Sequence, residues 1–163
     1  MSKQQQIKGR DPLSRFKNIF AEELVRDAGW DESRRVSRIL LSNQLISEGY
    51  PILQNVLDFM EQFEGIVIYF QNKLNGLQND DINFCFERAT HLVSPKKIKS
   101  NYSVRIGKPL VLIGSAYREH FVLLMSDDNC VYGAFDSFLC KIENSGFAAI
   151  EAIIMNHDFQ TIE

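Results

Sequence analysis

Apolar residues in the first third of the chain recur every three or four positions, which predicts amphipathic helices. The first helix is predicted to start at Asp11-Pro12, because Asp is a common N-cap and Pro suits the first helical position. Its apolar positions are Leu13, Phe16, Phe20 and Leu24. Gly29 is predicted to end it, since glycine readily adopts the left-handed conformation that closes many helices.

Two further helices are predicted before residue 66. One covers residues 33–48 and ends at Gly49. The residues predicted to share its buried face are Val36, Ile39, Leu40 and Asn43. The next opens at Pro51 and stops at Gly65. The residues predicted to lie on one side of it are Ile52, Val56, Phe59 and Phe63.

The pattern then changes to short runs of β-branched and aromatic residues, which are typical of strands. Strands are predicted over residues 66–70, 81–86, 110–113, 121–125, 130–135 and 138–142. Asn75-Gly76 predicts a turn, and Ser94-Pro95 predicts the start of a short helix. Asn144 or Ser145 is predicted to cap a final helix over residues 147–156.

Strands this close together in sequence pair antiparallel, because parallel pairs need longer crossover connections. The predicted class is therefore α+β, with N-terminal helices, a mostly antiparallel central sheet and a C-terminal helix. Residues 1–10 are predicted to be a flexible polar tail. Residues 11–163 are predicted to form a single domain, since a chain of 163 residues suits one domain.

Composition and charge narrow the classes of function. The formal net charge is −3, so the chain lacks the basic field that non-specific nucleic-acid binding requires. The three cysteines form no C-x-x-C pair, which speaks against a disulfide framework and against a cysteine zinc site. No secretory signal is visible and no apolar run is long enough to span a bilayer, so a cytoplasmic location is expected.

The sequence carries no recognisable motif for catalysis. Glycine-rich phosphate loops, a nucleophile elbow and metal-binding histidine spacings are all absent from it. His120 with Cys130 or Cys140 is the one pairing that suggests a nucleophilic thiol, but such residues are more often structural. The acidic pairs Asp80-Asp81 and Asp127-Asp128 are interpreted as solvated turns. We therefore expect no metal, no cofactor and no direct contact with nucleic acid or membrane.

A short segment after the first predicted helix has a distinctive order: Ala28, Gly29, Trp30 and, four residues later, Arg34. It resembles the "A-G-W-x-x-x-R" signature near the start of the third SUKH family. Residues 107–114 resemble that family's later "G-x-x-L-x-P-V-G" motif.

The resemblance continues at residues 129–132, which are similar to the family's "G-x-V-Y". Leu112 stands where the family often has Pro, and Asn129 where it often has Gly. Taken together, the motifs cover the chain from about Phe16 to Asn156.

The SUKH resemblance implies roles in the fold for four residues. Gly29 suits a left-handed helix end, and Trp30 then turns back onto the helices. Arg34 is expected to bond the free carbonyls of the first helix or a nearby carboxylate. Gly114 is expected to permit a tight bend between strands.

The resemblance also implies a function. Such SUKH proteins are encoded beside polymorphic toxins, bind the cognate toxin domain (often a nuclease or a nucleic-acid deaminase), and protect the producing cell. The expected partner is therefore a toxin protein, blocked by shape and charge without catalysis. Two alternatives stay open: a regulatory interaction scaffold of the same fold, and an enzyme that pairs a cysteine with His120.

Loops on a rigid sheet often carry recognition. We therefore predict that the partner-binding surface lies on the sheet and its loops. The residues predicted for it are Asp127, Asp128, Tyr117 and Tyr132.

Overall fold

The structure is a computed structural model and describes residues 15–72 and 78–163. Four predictions therefore lie outside the described residues: the polar tail 1–10, the helix start Asp11-Pro12, the apolar position Leu13 and the turn Asn75-Gly76.

In the described part of the chain, three helices come before the first strand, namely α1 (Ile19–Asp27), α2 (Arg38–Glu48) and α3 (Gln54–Phe63). The side chain of Asn18 accepts a hydrogen bond from the backbone N–H of Ala21, which fixes the start of α1. Ser37 caps α2 in the same way. Gly49 ends α2 in the left-handed conformation, with φ +89°, as predicted.

The predicted apolar face of the first helix is wrong at Phe20, whereas Leu24 packs against the core as predicted. The helix buries Ala21 and Val25, whereas Phe20 is 57% exposed. Phe16 is buried but precedes the helix, because the Asn18 cap places the helix start after it. Both α1 and the residues just before it therefore contribute side chains to the core.

The predicted face of the second helix is also wrong, whereas that of the third is confirmed at three positions. α2 packs against α3, and its buried residues are Leu41 and Leu45, not Ile39 and Leu40. Apolar residues occur on every side of α2, so periodicity alone does not select the side that docks. In α3 the predicted residues Val56, Phe59 and Phe63 are all buried.

Within residues 15–72 and 78–163, seven strands form one antiparallel sheet in chain order. They are β1 (Val67–Asn72), β2 (Gln78–Asn83), β3 (Leu110–Ala116), β4 (Phe121–Ser126), β5 (Val131–Phe135), β6 (Phe138–Glu143) and β7 (Gln160–Thr161). The predicted α+β class is confirmed. The second strand ends before residue 86, because Phe86 begins the helix α4 (Phe86–Thr90). The two-residue β7 is too short to show a pattern in sequence.

One face of the sheet is covered by the segment between β2 and β3. This segment contains α4, α5 (Pro95–Lys97), a π-helical turn (Ile98–Tyr102) and α6 (Ser103–Ile106). Ser94 caps α5, as predicted. The Tyr102 hydroxyl donates a hydrogen bond to the carbonyl of Asp136 over 2.7 Å, which ties the segment to the β5–β6 turn.

The other face of the sheet packs on α3 and on α7 (Gly146–Ile154), which Ser145 caps. Here Leu123 and Val131 of the sheet meet Phe59 of α3 and Ile150 and Ile153 of α7. Helix α7 also contacts both β1 and β6, so the sheet curls around it. The turns between strands are left at the two opposite ends of the sheet.

Gly114 lies inside β3, where the pairing with β4 shifts by one residue. The expected bend between strands is wrong, because β3 continues to Ala116. The glycine is needed for close approach instead. A Cβ atom here would lie 2.4 Å from the carbonyl oxygen of Asn83 and 3.1 Å from the Cα of Phe84. These are backbone atoms at the end of β2, so they cannot rotate out of the way.

We expect Gly114→Ala to lower the free energy of unfolding by about 3 kcal/mol, through overpacking against backbone. Gly133→Ala is the matched control, since the three atoms nearest to a Cβ there belong to the side chains of Phe121 and Ile142. Those side chains can shift, so we expect a loss of about 1 kcal/mol. Urea unfolding of both variants measures the difference, and equal losses would contradict this account of β3.

Candidate partner-binding surface

The Gly29-Trp30 step turns the chain from α1 into the core. Gly29 has φ +108°, a left-handed conformation that favours glycine. Trp30 follows and is only 3% exposed. Its ring stacks on Phe63 with centroids 5.7 Å apart, and Phe16 and Phe147 meet it edge-on at 5.3 and 5.7 Å. Trp30 therefore joins Phe16, which precedes α1, to α3 and α7.

Arg34 binds the end of α3. Its two terminal guanidinium nitrogens donate to the backbone carbonyls of Gln62 and Glu64 over 2.7 and 2.6 Å. The expectation that it bonds carbonyls of the first helix is wrong. After Trp30 the chain runs alongside α3, so the free carbonyls within reach are those of the third helix.

The Glu64 carboxyl group lies beside Arg34 and faces the start of α4. One oxygen accepts a hydrogen bond from the backbone N–H of Phe86 over 3.0 Å. The other is buried and has no partner among residues 15–72 and 78–163. Burial raises the pKa of Glu64 to about 7, although the Phe86 N–H and the charge of Arg34 both act to lower it.

The β4–β5 turn holds two of the residues predicted to bind a partner. Asp128 forms an ion pair with Lys108 and accepts a hydrogen bond from the Ser126 hydroxyl. These two contacts hold the pKa of Asp128 well below its usual range. Asn129 has φ +71°, a left-handed conformation that Asn adopts more readily than most other non-glycine residues. Asp128 therefore fixes the turn.

Asp127 occupies the exposed tip of the same turn. Within the described ranges it forms no hydrogen bond and no ion pair. Asn55 steadies the turn from the side of α3, by donating to the carbonyl of Ser126 over 2.8 Å. The turn thus presents one free carboxylate on a rigid support.

Neither of the two predicted tyrosines adds to the exposed surface of this turn. Tyr117 is in the β3–β4 turn, at the other end of the six-residue strand β4, hence roughly 20 Å away. Its ring is half-buried against Phe70 and Phe121. Tyr132 adjoins the turn through Ser126 and Asp128, but it is only 5% exposed. The four residues therefore do not form one exposed patch.

A family model described as SUKH-3 immunity protein matches residues 20–156 of the chain. The chain belongs to the SUKH-3 immunity protein family. No curated protein and no solved structure matches it.

Two of the three thiols of this SUKH-3 protein are packing residues. Cys130 and Cys140 are both buried. Burial raises the pKa of Cys140 to about 11, so its reactive thiolate form is scarce at neutral pH. His120 is exposed in the β3–β4 turn, at the opposite end of β4 from Cys130. The pair considered for nucleophilic chemistry is therefore not assembled between His120 and Cys130.

A metal site and a membrane-spanning helix are both absent from residues 15–72 and 78–163. No group of three or more His, Cys, Asp or Glu residues in this part could hold a metal ion. None of the helices within it has both the length and the apolar character needed to cross a membrane.

The outward side of α2 is a feature of this SUKH-3 protein that sequence reasoning missed. Ile39 is 75% exposed, and Leu40 and Ile46 are each 63% exposed. The available signal was the presence of apolar residues on all sides of the predicted helix, more than one buried face can use. Glu64 was also missed, because a single acidic residue before a helix-ending Gly65 does not reveal its own burial.

The raised pKa of Glu64 gives a test of the packing around Arg34. A carboxyl whose pKa is about 7 in the folded state, against 4.5 as its ordinary value, favours folding only while it is protonated. The stabilisation is complete below about pH 4.5 and is lost as the pH rises through about 7. We expect the free energy of unfolding to fall by about 2 kcal/mol over this window.

Glu64→Gln removes the titrating group, so we expect it to flatten this pH dependence and to stabilise the protein at pH 8. Denaturant unfolding from pH 4.5 to pH 8 measures both effects. Glu48→Gln is the control, because Glu48 is exposed and should leave the profile unchanged. An unaltered slope in Glu64→Gln would show that Glu64 is not buried as described.

Proposed function

We propose that this SUKH-3 protein binds and neutralises a cognate polymorphic toxin inside the cell that produces both. The proposal rests on the match to the SUKH-3 immunity protein family over residues 20–156. The toxin is proposed to be a nuclease or a nucleic-acid deaminase that acts in the cytoplasm. The bound protein is proposed to neutralise the toxin sterically and electrostatically, by covering the surface that the toxin uses for its activity.

The geometry of the β4–β5 turn supports a role in that contact. Its backbone is held by Asp128, Lys108 and Asn55, so little conformational freedom is lost when a partner docks. Asp127 offers a carboxylate that no described neighbour neutralises. A basic surface is what toxins use to hold nucleic acid, and a rigid acidic turn is complementary to it. We therefore retain Asp127 as a toxin contact and assign Asp128 to the support of the turn.

Protection in cells tests the function. The toxin domain encoded beside this gene is expressed from an inducible promoter, with and without this chain. We expect growth to be restored only when the chain is present, and purified chain to bind the purified toxin domain. Folded chain that neither binds nor protects would contradict the proposal and would favour the regulatory scaffold.

Asp127→Lys tests the contact. We expect toxin affinity to fall by at least about tenfold, because a cation replaces the free carboxylate at a basic partner surface. Asp158→Lys makes the same charge change at another exposed acidic residue, after the end of α7, and should leave affinity within about twofold. Isothermal titration calorimetry distinguishes them. Equal affinities for Asp127→Lys and the unaltered chain would remove the turn from the interface.

A third variant tests the absence of nucleophilic chemistry. The triple substitution Cys130→Ala, Cys140→Ala, His120→Ala removes His120 and both cysteines that could pair with it. Alanine adds no buried hydroxyl group. We expect full protection in the growth assay, provided that circular dichroism shows a folded protein. Loss of protection with toxin binding intact would favour the enzyme hypothesis.

A further inference from the structure

Strand β1 lies at one edge of the sheet and pairs only with β2 among the described strands. Phe84 donates its backbone N–H to the carbonyl of Ile66, and hydrogen-bonded pairs alternate along an antiparallel ladder. The amides of Val67, Tyr69 and Gln71 therefore point away from β2. Their N–H and C=O groups have no partner in the described parts of the chain.

This edge of β1 is accessible to another strand. Buried backbone groups are almost always paired, so a row of unpaired groups indicates contact with water. Helix α1 contacts β1, but none of its residues bonds these groups. Strand β1 contains no charged residue and no proline, and its six residues pair with β2 without a bulge. It therefore lacks the features that prevent strand addition at most natural edges.

The opposite edge of the sheet is protected. Strand β7 has only two residues, and a short edge strand offers little to pair with. The chain beyond it is held by Arg105, which donates to the carbonyls of Ile162 and Ser137 over 2.7 and 2.9 Å. Of the two edges of the described sheet, β1 is therefore the one that is long enough to accept a strand.

A second copy of β1 matches this edge group for group. Antiparallel pairing about a two-fold axis at Tyr69 places Tyr69 opposite Tyr69 of the other copy, and Val67 opposite Gln71 of the other copy. All three residues have outward amides, so each of the three pairs exchanges two hydrogen bonds. Such self-complementarity is what an isologous interface requires. Because β1 is uncharged, no like charges on β1 meet across the axis.

We propose that two copies of this protein associate edge to edge through β1, in one continuous antiparallel sheet with Tyr69 at the two-fold axis. Tyr69 is 69% exposed, and the pairing gives its ring an aromatic neighbour across the axis. This inference does not rest on the proposed toxin binding. A contact one strand long lies at the small end of stable interfaces, so we expect a dissociation constant of about 10 μM.

Sedimentation velocity of the full chain, from about 1 to about 200 μM, tests the association. We expect the sedimentation coefficient to rise from that of a monomer to that of a dimer over this range. A wild-type chain that stays monomeric at the upper concentration overturns the proposal, even if the edge later proves to accept a strand of the toxin.

Proline substitutions test the backbone hydrogen bonds. Gln71→Pro removes an outward N–H at an exposed position and leaves the ladder to β2 intact. We expect it to weaken self-association by at least about tenfold, because hydrogen bonds are lost from two of the three pairs. Thr161→Pro is the control on β7, where the bond from Ile162 to the Leu139 carbonyl leaves the Thr161 amide pointing outward. It should dimerise like the wild type, and a folded Gln71→Pro that does the same overturns β1 as the interface.

Charge substitutions test the position of the axis. Tyr69→Glu alone and Tyr69→Lys alone place like charges opposite each other, so we expect each to weaken self-association by at least about tenfold. An equimolar mixture pairs opposite charges, and we expect it to associate at least about tenfold more tightly than either variant alone.

The matched control is the same pair of charges at Gln71. In the proposed register the two copies of residue 71 lie four residues apart, hence about 13 Å, which exceeds the Debye length of about 10 Å at 0.1 M salt. We expect Gln71→Glu and Gln71→Lys to change self-association by no more than about threefold. Equal effects at the two positions, or a Tyr69 mixture no tighter than its components, would remove Tyr69 from the axis.

Discussion

The stacking of Trp30 on Phe63 is the contact on which the helical layer depends. Helix α1 itself buries only Ala21 and Val25, too little apolar surface to hold a helix in place. Trp30 adds a large ring that touches α3 directly and α7 through Phe147. Three segments far apart in sequence are thereby fixed against one another.

Further contacts link the Trp30–Phe63 stack to the sheet. With α3 in place, Arg34 satisfies its last carbonyls, and Glu64 at its end receives the first N–H of α4. Phe84, between β2 and α4, packs its ring against Phe59 and Phe63 of α3. The backbone at this point lies so close to β3 that Gly114 admits no side chain. A chain of contacts thus leads from the Gly29-Trp30 step to the register of the sheet.

Much of this architecture is predictable because local signals are strong. Most elements are predicted by local signals: glycines that end helices, the Ser94-Pro95 helix start and the runs of β-branched residues. The strands lie close together in sequence, so their pairing is predicted to be antiparallel. Faces were harder. Phe20 and Ile39 are apolar but exposed, since tertiary docking, not periodicity, decides which side of an apolar helix is buried.

The same limit applies to the candidate surface. Tyr132 lies in a strand that the sequence predicts, but the sequence does not show that its side chain is buried. Asp127 and Asp128 are neighbours with different roles, because only one of them meets Lys108. Distances such as that between Tyr117 and Asp127 depend on the length of β4 and cannot be read from composition. Of the four predicted residues, only Asp127 presents a free carboxylate on the exposed β4–β5 turn.

The proposed function requires the protein to inhibit the toxin by binding to it and not by catalytic turnover. Titration of the cognate toxin domain, at a concentration far above the dissociation constant, tests this most directly. The account predicts that toxin activity falls linearly and reaches zero at one chain per toxin domain, with no dependence on incubation time. Progressive loss of activity at a small fraction of that ratio would contradict it, since only a catalyst acts on many toxin molecules in turn.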